Sequence, residues 1–292
     1  MILKNNMIQS IRHLAYTLRI SEKEILSFTR KETISQYYKE YTIEKLNKDG
    51  TPKEDKFGNQ KKRIINPSVL RLKEIQKIIN REILKKIPVP IYIYGGTKGK
   101  DNVLNAKIHQ GKKFKFITDL TNFFPSITNR MVYEMFISYN FSPDVASLLT
   151  KLTTFKGHVP QGAPTSTYIA NFVFTKTGNE LNLFAQKHNI SFTSFVDDLT
   201  FSSSVDFKEL VPDIIQIITK NGFVISHQKT HYQTHLPSIT GIICYNNKLD
   251  VPKEFLEGLK LSQSSPKQYQ GKIRYKEKVD KISNLKVKEL VR

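Results

Sequence analysis

Phe195-Val196-Asp197-Asp198-Leu199-Thr200-Phe201-Ser202 is the stretch on which the fold turns. Strand-like Ile190-Ser191-Phe192 leads into it through Thr193 and Ser194, and apolar and β-branched residues resume beyond the aspartates. The pattern predicts two strands joined at a tip that carries both carboxylates. Upstream, residues 113–119 alternate Phe114 and Phe116 with Lys115 and Ile117 and end on another carboxylate, Asp119. Between these strands the periodicity predicts helices over about 128–139, 143–153 and 165–188. Downstream, Phe207, Leu210, Val211, Ile214, Ile215 and Ile218 mark a helix stopped at Asn221-Gly222, and Phe223-Val224-Ile225 reads as a closing strand. Strand, helices, strand, strand, helix, strand predicts an α+β protein whose sheet is covered by helices on one face.

Neighbouring strands in such a sheet would bring Asp119, Asp197 and Asp198 together. Like charges a few ångströms apart raise one another's pKa unless a cation neutralises them, and aspartate oxygens suit Mg²⁺. Two such ions, roughly 3.5–4 Å apart, would stabilise the attacking and leaving oxygens of an in-line phosphoryl displacement. The competing reading is that Asp-Asp merely makes a polar turn.

The flanks add charge. Lys and Arg number 46 against 26 Asp and Glu, a net +20, which favours a polyanionic partner over a small neutral metabolite. Residues 1–35 predict two short helices, the second opened by Ser21 with Glu24 at capping-box spacing. Tyr41-Thr42-Ile43 and Arg63-Ile64-Ile65 predict a long hairpin whose flexible, Lys-rich tip holds Asp49-Gly50 and Phe57-Gly58-Asn59. Pro67, behind Asn66, is expected at the first position of a helix with Leu72, Ile75, Ile79 and Ile83 inward and Arg71, Lys73, Lys77, Arg81 and Lys85 outward. A Gly-rich loop, Tyr94-Gly95-Gly96-Thr97-Lys98-Gly99-Lys100, precedes the first strand of the sheet. The tail from Val251 is helical and basic, with 11 Lys and Arg against 5 Asp and Glu, and reads as a separate element. The lone Cys244 sits in an apolar run, which excludes an internal disulfide scaffold and suggests a reducing, cytoplasmic setting. The polar start of the chain predicts no secretory leader, and no apolar run approaches the ~18 residues of a membrane span.

The segment 195–202 resembles the (Tyr/Phe)-x-Asp-Asp motif of reverse transcriptases. Asp119-Leu120-Thr121-Asn122-Phe123-Phe124-Pro125-Ser126-Ile127 resembles their first catalytic motif, and Val159-Pro160-Gln161-Gly162-Ala163-Pro164-Thr165-Ser166 their template- and nucleotide-supporting segment. Asn105-Ala106-Lys107-Ile108-His109 and Ile239-Thr240-Gly241 are similar to the Asn-Ala-x-x-His and Val-Thr-Gly elements of retron-type and related antiphage-defence enzymes.

The resemblance implies a right-hand polymerase: N-terminal helices and fingers in 1–112, a palm with an antiparallel sheet in 113–248, and a small basic thumb in 249–292. It implies that Asp119 and Asp197 bridge two Mg²⁺ ions, with Asp198 a looser neighbour and the Leu120 carbonyl a backbone ligand. Phe124 would lie under the sugar of the incoming deoxynucleotide and collide with a 2′-OH. Gln161 and Gly162 would support the nascent pair, while Lys62 and Arg63 complement triphosphate oxygens. Lys229 is the expected general acid for pyrophosphate. Arg71, Lys73, His109, Lys253 and Lys260 are the expected RNA contacts, with packing against the sheet as the alternative for His109. The implied partners are deoxynucleoside triphosphates, an RNA–DNA hybrid, a structured non-coding RNA serving as template and primer, and a separate effector protein in antiphage defence. Three rivals stand beside this reading: a defence polymerase making untemplated or protein-primed DNA, or RNA; a catalytically silent RNA-binding scaffold; and a metal nuclease.

Overall fold

The computed structural model describes residues 8–47, 50–54, 57–234, 238–262 and 265–287. In chain order it begins with α1 (Ile11–Leu18), α2 (Glu22–Phe28), α3 (Lys31–Ser35), β1 (Tyr41–Glu44), β2 (Lys62–Ile65) and α4 (Leu70–Glu82). There follow α5 (Asn102–Ile108), β3 (Phe114–Asp119), α6 (Phe123–Ser126), α7 (Asn129–Ser138), α8 (Pro143–Thr153) and α9 (Ser166–Lys187). Next come β4 (Ser191–Phe195), β5 (Asp198–Ser203), α10 (Val211–Lys220), β6 (His231–Gln233), β7 (Ser238–Ile239), β8 (Ile242–Cys244), β9 (Leu249–Asp250), α11 (Lys253–Leu261) and α12 (Pro266–Asn284). The chain forms two compact units, each discontinuous: residues 1–88 with 122–173, and residues 89–121 with 174–292. These boundaries cut across the three consecutive blocks expected from the sequence.

In the first unit, Ser10 and Ser21 cap α1 and α2 by accepting the N–H groups of His13 and Glu24, as the Ser21/Glu24 spacing predicts. Leu72, Ile75 and Ile79 of α4 are fully buried, facing a layer that includes α1 and α8. The buried Gln76 makes this core specific. Its amide donates to Tyr38 Oη at 2.9 Å and to the Leu152 carbonyl at 2.8 Å, and its Oε1 accepts from Ser68 Oγ at 2.6 Å. A buried amide left without these partners would cost about 1–3 kcal/mol, so the network fixes how α4 sits on α8. The outward charges of α4 are largely paired on the protein itself, Arg71 with Glu24 at 2.9 Å and Lys77 with Glu74 at 2.9 Å.

The expected helix start at Pro67 is not found. Residues 66–69 run extended: Asn66 N–H donates to Gln161 O (2.8 Å), Lys39 N–H to Pro67 O (3.1 Å) and Val69 N–H to Tyr37 O (2.8 Å). Those pairings outweigh the N1 preference of proline, and α4 begins at Leu70. The hairpin itself forms, β1 antiparallel to β2 with Tyr41 opposite Ile65. Of its expected tip, Asp49 lies outside the described residues.

In the second unit a four-stranded antiparallel sheet has the order β4-β5-β3-β6. Phe192, Phe201 and Phe116 are register neighbours and share one face, with ring centroids 4.7 and 5.9 Å apart. The expected strand at 223–225 is replaced. Those residues make only a single bridge, Ile225 with Leu120, and Val224 O accepts from Thr121 N–H at 2.7 Å; β6 is the fourth strand. A short 3-10 turn at His227–Lys229 interrupts the run: 223–226 covers the end of β3, where Ser226 N–H donates to the Asp119 carbonyl at 2.7 Å, and regular antiparallel pairing with β3 comes only with β6.

The tail is likewise not separate. Val279 and Ile282 of α12 enter one buried cluster with Val103 and Ala106 of α5, Ile239, Ile242, Cys244, Leu249 and Val251. Lys107 Nζ reaches the Ser283 carbonyl at 2.7 Å, and Ser283 Oγ accepts from Leu249 N–H at 2.8 Å. Apolar burial across the small sheet β7-β8-β9 therefore binds the basic tail into this unit.

Candidate active site

The register of the second unit's sheet decides the site. Asp119, the last residue of β3, stands directly opposite Asp198, the first residue of β5. Opposed residues of an antiparallel pair share a face, so both carboxylates leave the sheet on the same side, with side chains about 5 Å apart at Cβ. Asp197 occupies the two-residue turn between Phe195 and Asp198, and its carbonyl accepts the Leu120 N–H at 2.9 Å. The predicted convergence of strand end and hairpin tip is thus met in the backbone.

Electrostatics follow from that crowding. Burial, then the charges of Asp197 and Asp119, push the Asp198 carboxyl up to about 7, with Lys229 opposing. Lys229 Nζ lies 2.6 Å from Asp119 Oδ2. Partial burial works against its charge, yet the hydrogen bond to Asp119 and the three carboxylates hold its pKa above the usual lysine value. The ammonium thus sits on the carboxylate as a cation would.

Among the described residues, no group of three or more His, Cys, Asp or Glu side chains is arranged to enclose a metal. The donor set nonetheless fits Mg²⁺, which keeps several waters and takes only one or two carboxylates together with substrate phosphates. The excess negative charge expressed in Asp198 is the feature such an ion would relieve.

His109 does not fit its expected RNA role. It is fully buried, with Nδ1 2.6 Å from Ser202 Oγ and Nε2 2.7 Å from Thr193 Oγ1, so neither ring nitrogen is left for a nucleic acid. Burial first, then Lys112 and Lys115, hold its pKa well below the usual histidine range, and the ring is neutral. It ties β4 to β5 through Thr193 and Ser202. His109→Phe strands two buried hydroxyls and is expected to cost about 2–4 kcal/mol. A lowered melting temperature with RNA affinity unchanged within about twofold is the expected result; lost RNA affinity at unchanged stability would restore the RNA contact.

Of the other residues expected from the sequence, Lys62, Arg63, Arg71, Lys73, Phe124, Gln161 and Gly162 belong to the first unit, and Lys253 and Lys260 to the second. Phe124 is half-buried on α6, its ring 5.8 Å from that of Phe123. Gly162 has φ +96°, and a Cβ there would lie 2.8 Å from Ile65 Cγ2. The loop that carries it is pinned to the base of the hairpin by the bond from Asn66 N–H to Gln161 O. Lys62 and Arg63 are both exposed on β2. Consecutive strand residues face opposite ways, so Arg63 shares the Ile65 face, toward Gly162, and Lys62 does not. Arg71, Lys253 and Lys260 are exposed on α4 and α11, as is Lys73 on α4. Two residues named in the sequence without a role contribute here: Ile65, whose part is readable only from the close approach at Gly162, and Gly95 of the Gly-rich loop, which lies against the turn at Val196.

Fold and site together define an α+β protein with an antiparallel sheet and an acidic hairpin tip, Asp119 facing Asp198 across the β3–β5 pair. The profile of the family described as reverse transcriptase (RNA-dependent DNA polymerase) matches residues 51–275. The chain belongs to the reverse transcriptase family and is of its retron type. It is 38% identical over 176 residues to the Retron Se72 reverse transcriptase of Salmonella heidelberg (strain 579083-10), covering 60% of this chain and 44% of that protein. It is 30% identical over 222 residues to the Retron Ec86 reverse transcriptase of Escherichia coli, covering 74% and 66%. Against the Retron Mx162 reverse transcriptase of Myxococcus xanthus it is 30% identical over 206 residues, covering 64% and 40%. The chain therefore spans roughly half the length of these relatives. No helix among the described residues is long and apolar enough to cross a membrane.

Proposed function

We propose that this chain is an RNA-directed DNA polymerase with fingers, palm and a small thumb. It would extend DNA on a dedicated structured RNA from deoxynucleoside triphosphates, in antiphage defence beside a separate effector. The observation that carries the reading is the same-face opposition of Asp119 and Asp198, with Asp197 on the intervening turn and Lys229 on Asp119.

Asp119 and Asp197 would hold two Mg²⁺ ions, with Asp198 and the Leu120 carbonyl as looser neighbours. Bound there, the ions would neutralise charge on the α-phosphate and activate the primer 3′-OH. Lys229 keeps its proton through neutral pH and can pass it from Nζ to departing pyrophosphate. Arg63, on the hairpin face toward Gly162, is the better placed triphosphate partner; Lys62 on the other face is the weaker one. The exposed Lys73, Lys253 and Lys260, together with Arg71 if it exchanges Glu24 for a phosphate, would contact the nucleic-acid backbone, so RNA affinity should fall steeply with salt.

The test is primer extension on RNA with deoxy- and ribonucleotides, together with sequencing of nucleic acid that copurifies. DNA synthesis dependent on RNA and Mg²⁺ is expected. Phe124→Val should then raise ribonucleotide incorporation at least about tenfold while deoxynucleotide KM changes little. Extension without template would favour the untemplated polymerase, and RNA binding with no synthesis would favour the silent scaffold.

A further inference from the structure

The turn that carries Asp197 is built from unfavourable backbone. Val196, a β-branched residue, has φ +60°, a region that side chains of its kind rarely enter. Something must hold it there. On one side the end of β3 does so, through the Leu120 N–H on the Asp197 carbonyl at 2.9 Å. On the other lies the segment 92–95, which runs along the free edge of β4: Ser194 N–H donates to Tyr92 O, and Tyr94 N–H to Ser194 O, both at 2.8 Å.

This strap is itself anchored. Tyr92 Oη donates to Asn179 Oδ1 at 2.8 Å, and Lys100 Nζ donates to the carbonyls of Ile91 (2.6 Å) and Ile93 (2.9 Å). It ends on Gly95. A Cβ built at that position would lie 2.5 Å from Val196 N, 2.8 Å from Phe195 C and 2.7 Å from Val196 Cγ2. Two of those atoms are backbone and cannot swing aside, so only glycine lets the strap close on the turn.

We infer that Gly95 is a positioning residue for synthesis: it clamps Val196 in its left-handed conformation and thereby fixes where Asp197 presents its carboxylate. The inference rests on the polymerase reading above. A side chain at 95 forces the turn outward, and a displacement near 1 Å at a catalytic group can cost about 100-fold in rate.

The experiment is a double-mutant cycle of Gly95→Ala and Val196→Gly, with Gly271→Ala as control, since a Cβ at Gly271 meets nothing within 4 Å. Circular-dichroism melts report folding, steady-state kinetics separate kcat from KM, and electron paramagnetic resonance follows Mn²⁺ binding without nucleic acid. Gly95→Ala should lower kcat at least about tenfold with nucleotide KM within about twofold, and weaken Mn²⁺ binding. In the Val196→Gly background the same change should cost less than about threefold, because a glycine turn can yield without strain. Gly271→Ala should match wild type. Equal penalties in both backgrounds, or a Gly95→Ala rate equal to the control, would overturn the inference. Should Gly95→Ala fail to fold, the Val196→Gly background is expected to restore folding, and failure to do so overturns it equally. A wild-type protein that synthesises nothing defeats the polymerase reading instead, and the folding and Mn²⁺ arms still test the clamp.

Discussion

Replacing Asp119 or Asp197 by asparagine is expected to reduce RNA-templated extension by about 10³-fold or more, equivalent to ~4 kcal/mol of lost transition-state stabilisation. Asparagine preserves shape, and both positions are fixed by backbone bonds that do not involve the carboxylates, Ser226 N–H on the Asp119 carbonyl and Leu120 N–H on that of Asp197. The fold and the salt-dependent binding of RNA should therefore survive. Asp119→Asn also weakens the partner of Lys229. Single-turnover extension beside a filter-binding titration separates the outcomes. Activity retained within about tenfold in either variant would remove the carboxylates from the chemistry and return Asp197-Asp198 to a polar turn.

The second large effect concerns stability. Burial first, then the charges of Asp197 and Asp119, push the Asp198 carboxyl up in the fold from its ordinary value near 3.8 to about 7. Between those values the folded state binds more protons than the unfolded one, so stability falls as pH rises through the window and the full cost is present above it. Three pKa units correspond to an upper bound of about 4 kcal/mol. In chelator at pH 8, Asp198→Asn should accordingly melt several degrees above wild type, with the advantage gone below pH 4. Adding Mg²⁺ should stabilise wild type more than the variant, because a ligand that binds the native state raises its stability by mass action. A variant less stable than wild type at pH 8 in chelator contradicts the crowding of charge described here.

Much of this was legible in the one-dimensional record because it rests on local periodicity. The three- and four-residue spacing of Leu72, Ile75 and Ile79 reports the apolar side of α4, and those residues are buried, whereas the alternation in 113–119 and 191–203 locates strands that are buried on both faces, Lys115, Thr118, Thr193, Thr200 and Ser202 included. The carboxylates were legible for the same reason: a strand end and a hairpin tip are local features, and an antiparallel sheet has few ways to bring them together. Pro67 was misread because its place depends on hydrogen bonds to Tyr37, Lys39 and Gln161, partners far away in sequence or on another element. Phe223-Val224-Ile225 has strand composition, but only tertiary pairing decides whether an extended run becomes a ladder or a cap.

His109 marks the same boundary in chemistry. A lone histidine in a basic chain reads equally well as a nucleic-acid contact or a packed residue, and only the hydroxyls of Thr193 and Ser202 on both sides of its ring settle the matter. The family motifs, the strands and the three aspartates are readable from the order of residues along the chain, since each is carried by neighbours within a few positions, while the meeting of Asp119 with Asp198 is decided by the register of β3 on β5. The orientation of Arg63 against Lys62, the raised titration of Asp198 and the demand for glycine at 95 belong to the folded molecule, because each arises from atoms that only long-range packing brings within contact.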